Sequence, residues 1–124
     1  MTSLLDMMHG IRPFHSRVDI DEELAARLTL AHRVQALQIT REAISNALRH
    51  GAATWITVTL KQQGGVTEFE VTDDGRGFDA TASSPGRGLG NFVERARELD
   101  ARLTVESQPG RGTRVRLTFN PPSL

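Results

Sequence analysis

The chain of 124 residues has no cysteine. That excludes a disulfide framework and a thiolate metal centre, and it suits a reducing compartment. It has no excess of either charge: 15 Lys and Arg balance 15 Asp and Glu, for a formal net charge of +0. A basic footprint for nucleic acid is therefore missing. No apolar run approaches the ~20 residues that cross a bilayer. Residues 1–8 are apolar but short and lack a basic start, which argues against a signal peptide. There is no internal repeat and no low-complexity segment. His9, His15, His32 and His50 are scattered without the paired spacing of a zinc site. Ser45, Ser83 and Ser84 lack the strand-turn-helix setting of a nucleophile elbow. What remains is 38% hydrophobic and 24% charged, an ordinary composition for one soluble domain. Residues 1–13 read as a linker or an expression remnant, residues 14–120 as the domain and residues 121–124 as a tail.

Several stretches carry regular patterning. Residues 14–20 alternate weakly, as an edge strand does. Asp21, Glu22 and Glu23 supply helix-starting charge for a short helix to about Leu28. Residues 29–50 read as a long helix with Val34, Leu37, Arg41 (through its stem), Ile44 and Leu48 on one face, beside Ala43 and Ala47. Gly51 ends it where a left-handed residue is easiest. Residues 55–60 and 66–71 are β-branched and alternate, joined by a hairpin at residues 62–65. Trp55 reads as core. Residues 79–85 are small and polar, hence a loop, and residues 89–99 read as a helix with Phe92, Ala96 and Leu99 on one face. Residues 103–107 and 113–119 alternate again, and Arg111, Arg114 and Arg116 read as a solvated face. Pro121 and Pro122 stop the last strand. Alternating strands with one polar face take helices on the other face only. The fold class expected is a two-layer α/β sandwich.

Three motifs carry the chemistry. The first is Glu42, Asn46 and either Arg49 or His50, spaced to line one face of the long helix, opposite Leu37, Ile44 and Leu48. A carboxylate, an amide oxygen and a cation in a row suit a hydrated divalent ion and the phosphates it bridges. Magnesium keeps several waters, so one or two protein oxygens suffice. A solvated helix face has the same pattern, but Asn is a poor helix former in mid-helix. The second is Asp73-Asp-Gly-Arg-Gly77, a strand end with a carboxylate that accepts from an exocyclic amine, while Gly75 and Gly77 leave room for a ring. An ordinary Asp-Gly turn reads the same way. The third is Gly86-Arg-Gly-Leu-Gly90, where Gly86, Gly88, Leu89 and Gly90 open a helix whose free amides bind phosphate. It is not a dinucleotide fingerprint, because position 91 is Asn and no parallel βαβ unit surrounds it. It also lacks the Lys-Ser/Thr of a P-loop.

Residues 38–50, Gln-Ile-Thr-Arg-Glu-Ala-Ile-Ser-Asn-Ala-Leu-Arg-His, resemble the N-box of sensor histidine kinases. Asp73 to Gly77 resembles their first glycine box, residues 86–96 their second, and residues 103–113 their closing strand pair. The resemblance covers about residues 14–119. It is to the ATP-binding catalytic domain shared with gyrase, the heat-shock chaperone and mismatch-repair ATPases, and within it most to the nitrate/nitrite-sensor type. Phe92 departs from the Met this subgroup often carries. The resemblance implies a Bergerat-type fold: a mixed, mostly antiparallel sheet with about three helices on one face. It implies ATP and Mg2+ as cofactors, with Asn46 holding the metal and Glu42 ordering a metal-bound water or assisting the reaction. Arg49 and His50 then face the phosphates. Asp73 binds the adenine amino group, with Thr113 supporting through a water. Gly75 and Gly77 give the ring room, and Gly86, Gly88, Leu89 and Gly90 form the lid hinge and phosphate turn.

The function implied is supply of the γ-phosphoryl group to a histidine on a separate dimerisation domain of the same kinase, with a response regulator as indirect partner. The location expected is cytoplasmic, without nucleic-acid or membrane contact, and the isolated domain is expected to be a monomer. No phosphoacceptor histidine on a helix pair is found, since His9 lies just before Gly10 and Pro13. The chain is thus expected to bind ATP without phosphorylating itself. Two alternatives share the fold: a free-standing anti-sigma-factor-type protein-serine kinase, and a nucleotide-binding module without transfer activity.

Overall fold

The computed structural model describes residues 2–8, 10, 13–77, 97 and 101–119. The elements run α1 (Thr2–Met8), β1 (His15–Ile20), α2 (Glu22–Arg27), α3 (Leu30–Arg49), β2 (Trp55–Gln63), β3 (Val66–Asp73), β4 (Arg102–Ser107) and β5 (Thr113–Phe119). One five-stranded sheet has the order β1-β2-β3-β5-β4. The β1–β2 pair is parallel and the other three pairs are antiparallel. This is the mixed, mostly antiparallel sheet expected.

Period-two patterning divides the sheet faces. Ile56, Val58 and Leu60 of β2, Phe69 and Val71 of β3, and Val115, Leu117 and Phe119 of β5 are buried. They pack with Ile39, Ala43, Ile44, Ala47 and Leu48 of α3 and Leu24 of α2 in one core. On the other face β3 presents Glu68 and Glu70 beside Arg114 and Arg116 of β5, with Glu70 directly opposite Arg116 and the other contacts diagonal. Arg116 Nε lies 3.0 Å from both Glu68 Oε1 and Glu70 Oε2, and Arg114 Nε lies 3.4 Å from Glu70 Oε1. The alternating arginines, read as merely solvated, are thus half of a cross-strand ion-pair ladder. Burial opposes ionisation of Glu70, but its bonds to Arg116 and Thr72 and the nearby arginines hold its carboxyl below the ordinary range.

Local chemistry sets the element ends. Asp21 Oδ1 accepts from the Leu24 amide at 3.1 Å and caps α2; Thr29 Oγ1 accepts from the His32 amide at 3.1 Å and caps α3. Gly64 and Gly65 take φ of 59° and 80°, which lets a two-residue turn close the β2–β3 hairpin with the strands' own twist.

The structure departs from four of the expectations drawn from the sequence. Trp55 is half exposed, stacked on His15 at 4.9 Å between ring centroids, because it begins β2 beside the edge strand. Val34 and Leu37 are each 44% exposed. The buried stripe of α3 starts only at Ile39, so the apolar pattern runs on beyond the part that meets the sheet. Arg41 is exposed as well. Gly51 is not the left-handed residue after α3: Ala52 is, at φ 52°. Gly51 is required for space instead, since a Cβ there would stand 2.9 Å from the Ala47 carbonyl oxygen. Within residues 1–13, read as a linker, Thr2–Met8 is helical and buries Leu5 and Met8 in the core.

Candidate functional site

Three stretches far apart in sequence meet at one end of the sheet. The last turn of α3 delivers Asn46, whose carbonyl accepts from the His50 amide at 2.9 Å and the Gly51 amide at 3.1 Å. The Gly51 carbonyl accepts from the Arg76 amide at 2.7 Å, and the Arg76 carbonyl accepts from the Gly110 amide at 2.5 Å. The end of α3, the Asp73–Gly77 turn and the β4–β5 turn are therefore stitched together by backbone hydrogen bonds.

Asp73 ends β3, opposite Thr113 at the start of β5. It is half-buried, and its Oδ1 accepts from the Gly75 amide at 2.7 Å. Burial pushes its carboxyl above the ordinary range and the charge of Asp74 adds to this, while hydrogen bonds from the backbone of Gly75 and Thr113 oppose the rise. The next residue does a different job. Asp74 Oδ1 accepts from the amides of Thr54 at 2.8 Å and Trp55 at 2.9 Å, and its Oδ2 from the Thr54 hydroxyl at 2.6 Å. Burial works against its ionisation, but these bonds hold its carboxyl below the usual value. One carboxylate of the pair is tied down; the other faces a cavity.

That cavity has a volume of about 530 Å³, and Asp73, Val105, Ser107 and Thr113 are among the residues that line it. Its size is in the range of small-molecule sites. Ser107, the last residue of β4, pairs with Thr113. Its hydroxyl oxygen lies 2.8 Å from Thr113 Oγ1 and 3.0 Å from the Gly112 carbonyl oxygen. Ser107 was not among the candidate site residues; its signal is its place opposite Thr113 across the five residues 108–112.

The glycines have a different reason from the one read in the sequence. A Cβ on Gly75 would stand 2.8 Å from the Gly51 carbonyl oxygen and 2.9 Å from Asp73 Oδ1. Gly77, at φ +65°, would put one 2.7 Å from the Gly112 carbonyl oxygen and also against that of Gln108. Gly112, at φ +71°, would drive one into the Asp73 carbonyl oxygen. The room freed is occupied by the protein's own backbone, which closes around Asp73.

On α3, Glu42 and Asn46 are half-buried while Arg49 and His50 are exposed. Glu42 Oε2 is shut off from solvent, so this is not simply a solvated helix face. Glu42 and Asn46 flank the buried stripe of Ile39, Ala43 and Ala47 rather than lying wholly opposite it. Arg49 Nε donates to the Ser45 hydroxyl at 3.0 Å. Among the described residues there is no group of three or more His, Asp or Glu side chains that could hold a metal by themselves. Gly86, Gly88, Leu89 and Gly90, the loop before them and the helix expected over residues 89–99 lie outside the described residues, apart from Arg97 in a helix.

A family model described as "Histidine kinase-, DNA gyrase B-, and HSP90-like ATPase" matches residues 31–123. Among curated relatives, the chain is 35% identical over 103 residues to the sensor histidine kinase ComP of Bacillus subtilis, covering 81% of this chain and 13% of that protein. It is 36% identical over 106 residues to the nitrate/nitrite sensor protein NarX of Escherichia coli, covering 84% of this chain and 18% of NarX. The chain thus spans less than a fifth of either relative. Among solved structures, the blue-light activated histidine kinase EL346 of Erythrobacter litoralis superposes with a TM-score of 0.71 at 21% identity, covering 98% of this chain and 40% of that one. At that identity the superposition speaks for the fold alone. None of the helices among the described residues is long and apolar enough to cross a membrane.

Proposed function

The chain belongs to the histidine kinase-, DNA gyrase B- and HSP90-like ATPase family, as a catalytic ATP-binding domain of the histidine-kinase type, and we propose that it binds Mg-ATP and presents the γ-phosphoryl group to a histidine on a separate dimerisation domain. The observation that carries this reading is Asp73. Its carboxylate is held half-buried at the lip of a cavity, and backbone hydrogen bonds join its turn to the helix that bears Asn46.

In this reading Asp73 accepts from the exocyclic amine of adenine, and Thr113 supports it through a water. Gly75 and Gly77 contribute by letting three backbone segments close around Asp73. Gly86, Gly88, Leu89 and Gly90 supply amides to the phosphates. Asn46 holds magnesium through its side-chain oxygen. The residues fit that ion: Asn46 gives a neutral oxygen, and Glu42 one turn earlier keeps one oxygen out of bulk water. Magnesium between phosphates needs no all-protein cage. When bound, it neutralises charge on the phosphates. Glu42 orders a water at the ion or takes the proton of the acceptor imidazole. Arg49 and His50, exposed at the end of α3, reach toward the phosphates from outside.

Phosphoryl transfer depends on alignment of an in-line acceptor and on charge stabilisation. A nucleotide with no acceptor presented to it has little to react with. None of the four histidines is assigned as acceptor; His50 stands on the site helix as a phosphate contact. The chain is proposed to act in the cytoplasm, with a response regulator downstream.

The test is incubation with γ-labelled ATP, alone and with a histidine-bearing dimerisation domain from a nitrate/nitrite-sensor-type kinase. Acid-labile label on the dimerisation domain only is expected. Acid-labile label on this chain alone would contradict the reading, as would acid-stable label on serine of a supplied anti-sigma-antagonist protein.

A further inference from the structure

The hydroxyl pair Ser107–Thr113 has a direction. Ser107 Oγ lies 3.0 Å from the Gly112 carbonyl oxygen, to which it donates, and 2.8 Å from Thr113 Oγ1. A carbonyl only accepts, and a hydroxyl carries one proton and two acceptor lone pairs. With the Ser107 proton committed to Gly112, the short contact to Thr113 needs the proton of Thr113. Thr113 Oγ1 is then left with lone pairs alone toward the cavity. Asp73, opposite Thr113 in register, is there as a carboxylate, which likewise only accepts. Ser107, Thr113 and Asp73 all line the same cavity.

We propose that Ser107 is a positioning residue that draws the Thr113 hydroxyl proton inward and so leaves Asp73 and Thr113 as an acceptor-only pair, selecting an amino purine over an oxo purine. The inference rests on the nucleotide reading above. An exocyclic amine offers two N–H donors, one for Asp73 and one for a water whose own two protons are drawn to Asp73 and Thr113. An oxo group at the same ring position offers lone pairs to lone pairs. Were Thr113 free to rotate, its hydroxyl could turn outward and donate to the oxo group. The mere presence of Thr113 therefore does not set the preference; the partner that fixes its proton does.

The experiment is calorimetric titration of the full chain with Mg-ADP and, separately, Mg-IDP, which carries an oxo group in place of the amine. Wild type is expected to prefer ADP. Ser107→Ala should narrow the ADP-to-IDP affinity ratio roughly three- to tenfold, the worth of one neutral hydrogen bond. Ser107→Thr, which keeps the hydroxyl, should restore it. Thr113→Val should narrow the ratio too, and Ser107→Ala added to it should change the ratio no further. A purely structural role for Ser107 would weaken both nucleotides alike, so equal losses, or an unchanged ratio in Ser107→Ala, overturn the proposal. Wild type that binds ADP without preferring it to IDP overturns it as well. Wild type that binds neither nucleotide fails the underlying reading, and the proposal falls with it. Should Ser107→Ala not fold, Ser107→Cys keeps nearly the same volume with only a weak donor, and the same narrowing is required of it.

Discussion

Gly110 and Gly112 sit two residues apart in the β4–β5 turn, and both have left-handed backbones, with φ of +83° and +71°. Their surroundings differ. Around Gly110 nothing lies within 4 Å of where a Cβ would stand, whereas at Gly112 that Cβ would run into the Asp73 carbonyl oxygen. Placing alanine in a left-handed conformation costs roughly 1–2 kcal/mol. Forcing an extra carbon into filled space typically adds about 1–3 kcal/mol. Gly110→Ala should therefore lose roughly 1–2 kcal/mol and Gly112→Ala roughly 2–5 kcal/mol. Against the total of about 10 kcal/mol ordinary for a domain of this size, the second is severe. Urea unfolding followed by circular dichroism reads both, with the slope expected to stay unchanged. The backbone term is common to the pair, so the difference isolates the contact on Asp73. Gly112→Ala should also weaken Mg-ADP binding, because the group displaced is the one that carries the site carboxylate. Equal losses of stability, within about 0.5 kcal/mol, would refute the close packing of the two turns.

Asp74 has its carboxyl held below the ordinary value of 3.8. Its contribution is thus complete above the unfolded value and lost as pH falls through the folded one. Melting temperature against pH should have a shallower acid limb below about pH 4 in Asp74→Asn than in wild type. On the outer sheet face, Glu70→Gln should lose less than about 1 kcal/mol, because such partly exposed pairs are screened; the loss should shrink further in 1 M salt, read by urea midpoints. Asn46→Ala should weaken ADP binding in the presence of magnesium by more than in its absence, measured by titration with and without EDTA. Equal weakening would remove Asn46 from the metal.

Much of this was legible before the fold was known, because it rests on local rules. The helix start at Asp21, Glu22 and Glu23, the period-two strands and the hairpin at residues 62–65 depend only on neighbours in sequence. What was missed depends on distant neighbours. Trp55 has a core residue's composition, but β2 begins beside the edge strand, and only the sheet order shows that its ring stays half in water. Val34 and Leu37 continue an apolar period past the region that α3 buries; periodicity reports the face of a helix, not where its partner ends. Arg114 and Arg116 look solvated until the register puts Glu70 opposite Arg116, with Glu68 and Arg114 on the diagonals. Gly75, Gly77 and Gly112 are recognisable as special, but their reason, backbone against backbone, is a tertiary fact. Ser107 became visible only through its register with Thr113. The division of labour between Asp73 and Asp74, identical residues side by side, was likewise set by what each one's oxygens meet.

The central claim is that Asp73 recognises the nucleotide. Its most direct test is calorimetric titration of Mg-ADP into wild type and Asp73→Asn, with folding of the variant checked by its unfolding midpoint. The substitution keeps the shape and replaces an acceptor-only group by one that also donates. Loss of that bond, at about 1–3 kcal/mol, predicts affinity lower by roughly 5- to 150-fold. Equal affinity in a folded Asp73→Asn would contradict the assignment.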